Sequence, residues 1–335
     1  MPKDDLSYLD DFFARESNLT KPGPQLVKSV PTPNKLRPQQ IADLRMEPLV
    51  DQPFWIERGV IVKNGKTIIG AEAGAGKTHI CMEFARSLCL GEPLFKHPEL
   101  IVQGKPNVLY IEQELGREGL KERIHRLFTT SEGERVRERF FYLSRVEDPA
   151  LDTPEGYDKL KEYVESCGVP IHVLILDPAS DFLDGDDSDN TQVRKFLANL
   201  DKLIEAYADI GMSTLISHHY RKPQQTQNGK EEDLDFYRMR GASKWVDKHD
   251  TRIAMIKLAE GDPDWWLKMR FLTRRRSSMK PIYLHANEGD KGRVLWTPEN
   301  EIPEAVTAVP NKSSRRQRRP TDNQELKAIM ADLKL

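Results

Sequence analysis

Ala71, Glu72, Ala73, Gly74, Ala75, Gly76, Lys77, Thr78 and His79 bring small residues, a lysine and a hydroxyl into one short run. Glycines at 74 and 76 can take the backbone angles that turn successive N–H groups into one concavity, and such a nest of donors binds anions. Lys77 offers a mobile point charge to outer phosphates, and Thr78 a hydroxyl suited to a magnesium ion. The run departs from the spacing G-x-x-x-x-G-K-[ST] at one place, where Ala71 holds the first glycine position and Gly70 sits one residue earlier. The chemistry implied is the binding of ATP with Mg2+, with Ala71 to His79 as contacting residues and Thr78 at the metal.

Hydrolysis of a bound triphosphate also needs a group that holds the metal, a group that orients water, and positive charge in the transition state. Asp177 closes the apolar run Val173-Leu174-Ile175-Leu176 and is the candidate to hold Mg2+ opposite Thr78. Glu112 and Glu114 follow Val108-Leu109-Tyr110-Ile111, and either could position water. His218 and His219 close a third strand-like run, where a neutral imidazole could sense the γ-phosphate. Successive strand side chains point to opposite faces, so this histidine pair is a poor chelator.

These residues act together only if the chain places them together. Lys66 to Ile69 reads as a strand before the loop; after it Ile80, Phe84 and Leu88, with Cys81, Ala85 and Cys89 beside them, recur at helical spacing up to a stop at Gly91. The runs at 108–111 and 173–176 are continuously apolar, as strands covered on both faces are. Helices are expected over Leu120 to Leu127, Tyr157 to Cys167 and Val193 to Tyr207, and further strands at Phe140 to Leu143 and Ser213 to Ser217. This alternation predicts an α/β fold with a doubly wound, mainly parallel sheet whose ligands sit at the C-terminal strand ends. From Thr251 the pattern changes: Thr251 to Leu258, Trp265 to Thr273, Ile282 to His285 and Arg293 to Trp296 predict antiparallel edge strands at the C-terminal side. Asn64-Gly65, between Val60-Ile61-Val62 and Lys66, predicts a hairpin.

Three regions follow. Residues 1–48 form a flexible arm, with Leu6, Leu9, Phe12 and Phe13 among acidic residues and a proline-rich stretch from Lys21 to Pro38. Residues 49–300 form the phosphate-loop domain. Residues 301–335 form a tail with Arg315, Arg316, Arg318 and Arg319, and a short last helix opened by a capping box of Thr321 and Gln324. Both tails read as disordered, and 1–20 or 321–335 is where a protein partner would dock. With 51 basic against 53 acidic residues, net charge −2, overall charge does not mark a nucleic-acid binder, so any such contact rests on local patches. Three cysteines without C-x-x-C spacing point away from zinc and disulfides. No apolar run reaches the length of a membrane span and the N-terminus lacks a signal-peptide core, so a cytoplasmic protein without membrane contact is expected.

The segments Ala71 to Thr78, Val108 to Glu114, Leu174-Ile175-Leu176-Asp177-Pro178, Ile216-Ser217-His218-His219 and Arg240-Gly241-Ala242-Ser243 occur in the order found in RecA-fold ATPases, and the chain resembles the plasmid RepA-type hexameric helicases over about 50–300. That resemblance implies a RecA-type sheet, a catalytic glutamate at Glu114, a magnesium aspartate at Asp177, and a sensing histidine at His218 or His219. It also implies a homo-oligomer, a hexameric ring acting on single-stranded DNA in the replication of a plasmid, phage or other mobile element. The loop Tyr220-Arg221-Lys222 through Lys230 would face the channel, although Glu231-Glu232-Asp233 and the acidic residues Asp184, Asp186, Asp187 and Asp189 weigh against DNA there. An arginine from a neighbouring subunit would complete each ATP site: Arg274 and Arg276, placed on one strand face by alternation, or else Arg252. The other reading is an ATP-dependent switch or adaptor that regulates a DNA-processing partner without translocating.

Overall fold

A computed structural model of the chain describes residues 41, 53–147, 150–220, 243–259, 265–276, 279–289 and 293–299. The N-terminal arm apart from residue 41, the segment 221–242 that holds Arg221, Lys222, Lys230 and Arg240-Gly241-Ala242, and the tail from 300 lie outside the described residues.

The strands are β1 (Phe54–Ile56), β2 (Ile61–Val62), β3 (Lys66–Ala71), β4 (Val108–Glu112), β5 (Phe140–Ser144), β6 (Val173–Asp177), β7 (Ser213–His219), β8 (Thr251–Ala259), β9 (Trp265–Thr273), β10 (Ile282–Gly289) and β11 (Arg293–Glu299). The helices are α1 (Lys77–Leu90), α2 (Gly116–Leu127), α3 (Thr130–Val136), α4 (Gly156–Glu165), α5 (Asn190–Ala206) and α6 (Lys244–Asp247). Nine strands form one sheet in the order β11-β10-β9-β8-β3-β7-β6-β4-β5. From β8 to β5 neighbours run parallel, and β9, β10 and β11 are added antiparallel. The expected mainly parallel α/β sheet with antiparallel edge strands is what forms.

Alternation along the buried strands decides which helix covers which face. Val108, Tyr110, Val173, Ile175 and Leu215 pack with α1 and α2, whereas Leu109, Ile111, Leu174, Leu176 and Ile216 pack with α4 and α5. Both sets are apolar because both faces are covered, which is why these strands read as continuous rather than alternating runs. Helix α1 ends at Gly91, whose N–H donates to Ser87 O at 2.9 Å.

One expectation fails locally. The turn at Asn64-Gly65 forms, with Gly65 N–H donating to Val62 O at 3.1 Å, but no hairpin follows it. Strand β2 pairs with β1 in a separate two-stranded sheet. Both hydrogen-bonding edges of β3 are taken by parallel partners, β7 and β8, so β2 has no edge to join.

Candidate nucleotide site

Parallel pairing brings the C-terminal ends of β3, β7, β6 and β4 to one rim of the sheet. Register then aligns the chemistry: Ala71 with His219, and Glu112 with Asp177. The phosphate loop leaves β3 at Ala71, and α1 starts at Lys77. Gly74 and Gly76 have φ of 74° and 89°, the left-handed region that the cradle was expected to need. Ala71 is fully buried, so the residue at the first glycine position is the end of the strand rather than a part of the open loop.

Lys77 is buried, and its Nζ donates to Glu72 O at 3.1 Å and Ala71 O at 3.4 Å and lies 3.0 Å from His219 Nδ1. Burial lowers its pKa, while Asp177 and Glu114 act in the opposite direction. An ammonium beside Nδ1 requires that nitrogen to accept, which leaves the proton of a neutral imidazole on Nε2. Burial, and then the charge of Lys77, hold the His219 pKa below its ordinary value and so keep the ring neutral. Nε2 lies 3.7 Å from Glu114 Oε1. The lysine, the histidine and the glutamate therefore form one line across the rim.

The two histidines part as alternation requires. His219 faces Lys77, and His218 is fully buried on the other face of the sheet, stacked on Trp245 at 4.6 Å between ring centroids. His219 is thus the histidine at the phosphate loop, and His218 is not brought there. The two glutamates part as well. Glu112 is buried, accepts from Leu115 N–H, and has its pKa raised by burial, whereas Glu114 has a half-exposed side chain turned to His219. The β4–α2 turn that carries Glu114 is pinned by Arg145, which donates from its backbone N–H to Glu112 O and from Nη2 to Glu114 O, each at 2.8 Å.

Asp177 is buried at the end of β6, before a cis peptide bond to Pro178. Tyr110 donates to its Oδ2 at 2.5 Å and Ser217 donates to its Oδ1. Two hydroxyls thus fix the plane of the carboxylate. Burial and the Asp177 charge push the Tyr110 phenol well above its ordinary pKa, so it remains a donor. Tyr110 and Ser217 were not singled out in the sequence; the available signal was a hydroxyl within each of two buried runs. Among the described residues no group of three His, Cys, Asp or Glu side chains could cage a metal. Mg2+ does not need one, since it keeps several waters and takes other ligands from phosphates, so one buried carboxylate and the half-buried Thr78 suit it.

His79 is half-buried and meets the Trp265 ring edge-on at 6.0 Å. Burial, followed by Arg123 and Arg126, lowers its pKa to about 4. Arg274 and Arg276 lie elsewhere. Register sets Thr273 beside Thr251, and Thr251 beside Thr67, at the start of β3. The arginines are therefore at the end of the sheet opposite the phosphate loop. Strand β9 stops at Thr273, so strand alternation does not govern them: Arg274 donates to Asp247 O, and Arg276 lies over the Phe54 ring at 5.1 Å. Arg252 is the second residue of β8, opposite Ile68. The acidic loop after β6 has a structural share, since Asp189 caps α5 by accepting from Thr191 N–H at 2.7 Å.

A nest of N–H groups at a helix start, a lysine within it and a buried aspartate on a neighbouring strand define a P-loop nucleotide site. The sequence model for the AAA domain matches residues 31–225, more than half of the chain, and the chain belongs to that family: it is a P-loop ATPase. No curated protein matches it. No helix among the described residues is long and apolar enough to cross a membrane.

Proposed function

We propose that this ATPase is a ring-forming motor on single-stranded DNA, a helicase of RepA type serving the replication of a plasmid, phage or other mobile element. The line Lys77–His219–Glu114 carries the reading. When outer phosphates draw the Lys77 charge to themselves, His219 loses the donor at Nδ1. His219 is the last residue of β7, and the next residue, Tyr220, donates its N–H to Ala71 O at 2.8 Å. Beyond it the chain enters 221–242 with Arg221, Lys222 and Lys230, so the state of the phosphates acts at the root of the segment that would hold DNA.

In hydrolysis Glu114 accepts a proton from the water that attacks the γ-phosphorus, and ADP leaves. Lys77 and the loop N–H groups compensate the charge that develops on the phosphate oxygens. Asp177 and Thr78 would hold Mg2+, which when bound neutralises phosphate charge. Arg274 and Arg276 are too far along the sheet to serve this chain's own loop, so in a hexameric ring they would complete a neighbour's site.

A second reading, a switch or adaptor that hydrolyses ATP without translocating, is favoured by the exposed Asp184, Asp186 and Asp189 just beyond β6, which repel a phosphate backbone. ATPase rate with and without single-stranded DNA, together with strand displacement on a forked duplex, separates the two. Stimulation with displacement is expected; ATP turnover with neither supports the switch.

A further inference from the structure

The antiparallel extension meets the phosphate loop at Trp265, the first residue of β9. A Cβ at Gly76 would stand 2.7 Å from Trp265 Cζ2 and 2.9 Å from Cη2, so the indole edge lies flat against the loop backbone. Cε2, the carbon that carries the indole nitrogen, is next on the same edge, at 3.6 Å. The edge of the indole that carries the nitrogen is therefore the edge that meets Gly76.

That N–H is shielded from solvent and has no hydrogen-bond partner among the described residues. Buried indole donors normally have one. The ring is not free to turn and find it: Trp296 meets it edge-on at 5.4 Å, His79 at 6.0 Å, and Lys257 Nζ lies 5.1 Å from its centroid. The surrounding groups are poor sources of an acceptor. The loop is built to present N–H groups, the carbonyls of Ala71 and Glu72 are engaged by Lys77, and Lys257 adds positive charge. A donor fixed among donors and cations, at the wall of a phosphate cradle, is complementary to an anion's oxygen.

We infer that Trp265 is a nucleotide-contacting residue whose indole N–H donates to an oxygen of the nucleotide seated in the loop, so that the C-terminal strands take part in binding. This rests on the nucleotide reading of the loop. The acceptor is either a phosphate oxygen or a sugar oxygen, and two probes tell them apart.

Trp265→Phe keeps an aromatic ring against Gly76 and removes only the donor. Affinities of the full-length wild type and the variant are measured for MgATP and for inorganic tripolyphosphate with Mg2+. Loss of the hydrogen bond should weaken MgATP binding in the variant, about 10-fold or more for a phosphate acceptor and several-fold for a sugar oxygen. An equal loss for tripolyphosphate assigns the acceptor to the phosphates; a loss for MgATP alone assigns it to the sugar. Unchanged affinity of the variant for both overturns the inference while leaving the site intact. A wild type that binds no MgATP instead sinks the nucleotide reading itself. A second measurement needs no variant: in the wild type labelled with 15N at its five tryptophans, one indole N–H resonance should move downfield on saturation with nucleotide. Five unmoved resonances at saturation overturn the inference.

Discussion

Glu83→Gln should remove a specific part of the pH dependence of stability. Arg86 on α1 serves three carboxylates: Nη1 donates to Glu83 at 3.1 Å, and Nη2 donates to Glu92 at 3.4 Å and to Glu132. Arg135 also donates to Glu92 at 3.2 Å, so two guanidiniums face three carboxylates and one carboxyl is left to hold its proton. Burial works against the Glu132 anion, but the Thr129 N–H and Arg86 overcome it and bring it to about 2. Glu83 has the Arg86 bond alone, and burial outweighs it and pushes the carboxyl up to about 7. A folded pKa raised from 4.5 to about 7 means that the folded chain binds the extra proton. The Glu83 contribution is thus fully present below pH 4.5 and is lost as pH rises through 7. The difference between 4.5 and about 7 corresponds to at most about 3 kcal/mol. Glutamine keeps an oxygen for Arg86 and cannot ionise. Urea unfolding of both proteins at several values from pH 4.5 to pH 8 should therefore show the wild type losing up to about 3 kcal/mol relative to Glu83→Gln. Parallel stability curves would refute the reasoning, and a wild type that gains on the variant across the window would mean that the Arg86 charge outweighs burial.

Gly76→Ala should destabilise by roughly 2–5 kcal/mol, the sum of left-handed backbone strain and collision with the indole. In a Trp265→Ala background only the strain, roughly 1–2 kcal/mol, should remain; an undiminished cost in that double variant removes the contact from the account. Glu114→Gln should bind ATP yet hydrolyse it at least about 100-fold more slowly, whereas Glu112→Gln should cost stability at the β4–α2 turn and leave turnover per folded molecule near wild type. Wild-type turnover in Glu114→Gln, with loss in Glu112→Gln, assigns the water to the other carboxylate. His219→Ala should slow hydrolysis about 100-fold with little change in Tm, and His218→Ala should lower Tm by opening a cavity at Trp245; the reverse pattern overturns the assignment of faces. Mixing inactive Lys77→Ala subunits with inactive Arg274→Ala/Arg276→Ala subunits should restore partial ATPase activity, because some interfaces then join an intact loop to intact arginines. A silent mixture of co-assembled subunits excludes these arginines as the shared group.

The strand–loop–helix at 66–90 was legible in the sequence because each level agrees: β-branched run, glycines where left-handed angles occur, and apolar residues at helical spacing. The buried strands were legible for a related reason, since covering both faces forces continuous apolar runs. What sequence patterns do not carry is competition for edges. Asn64-Gly65 makes its turn, yet whether a turn becomes a hairpin depends on β3 having an edge to spare, and that depends on β7 and β8, more than a hundred residues away. Where a strand stops is equally non-local. Extending β9 through Arg276 would have set Arg274 and Arg276 on one face; its end at Thr273 sends them to Asp247 and Phe54.

The choice between His218 and His219 shows how near the sequence comes to the site. Alternation establishes that only one of them can face the phosphate loop, but not which. Register supplies the missing step, because residues opposite one another in neighbouring parallel strands share a face. Ile69 and Ala71 pack on the α1 side and Ile68 on the α5 side, so His219, opposite Ala71, joins α1, and His218, opposite Gly70, does not. Ser217, opposite Ile69, comes to the α1 side for the same reason and reaches Asp177. One register therefore selects the histidine at Lys77 and supplies a hydroxyl that orients the aspartate. A one-residue slip of β7 against β3 would bring His218 to the loop, move His219 and Ser217 to the far face, and leave Asp177 with Tyr110 as its only hydroxyl partner. The apolar residues that hold that register, Leu215 on one face and Ile216 on the other, are thus as much a condition of the site as the polar residues that form it.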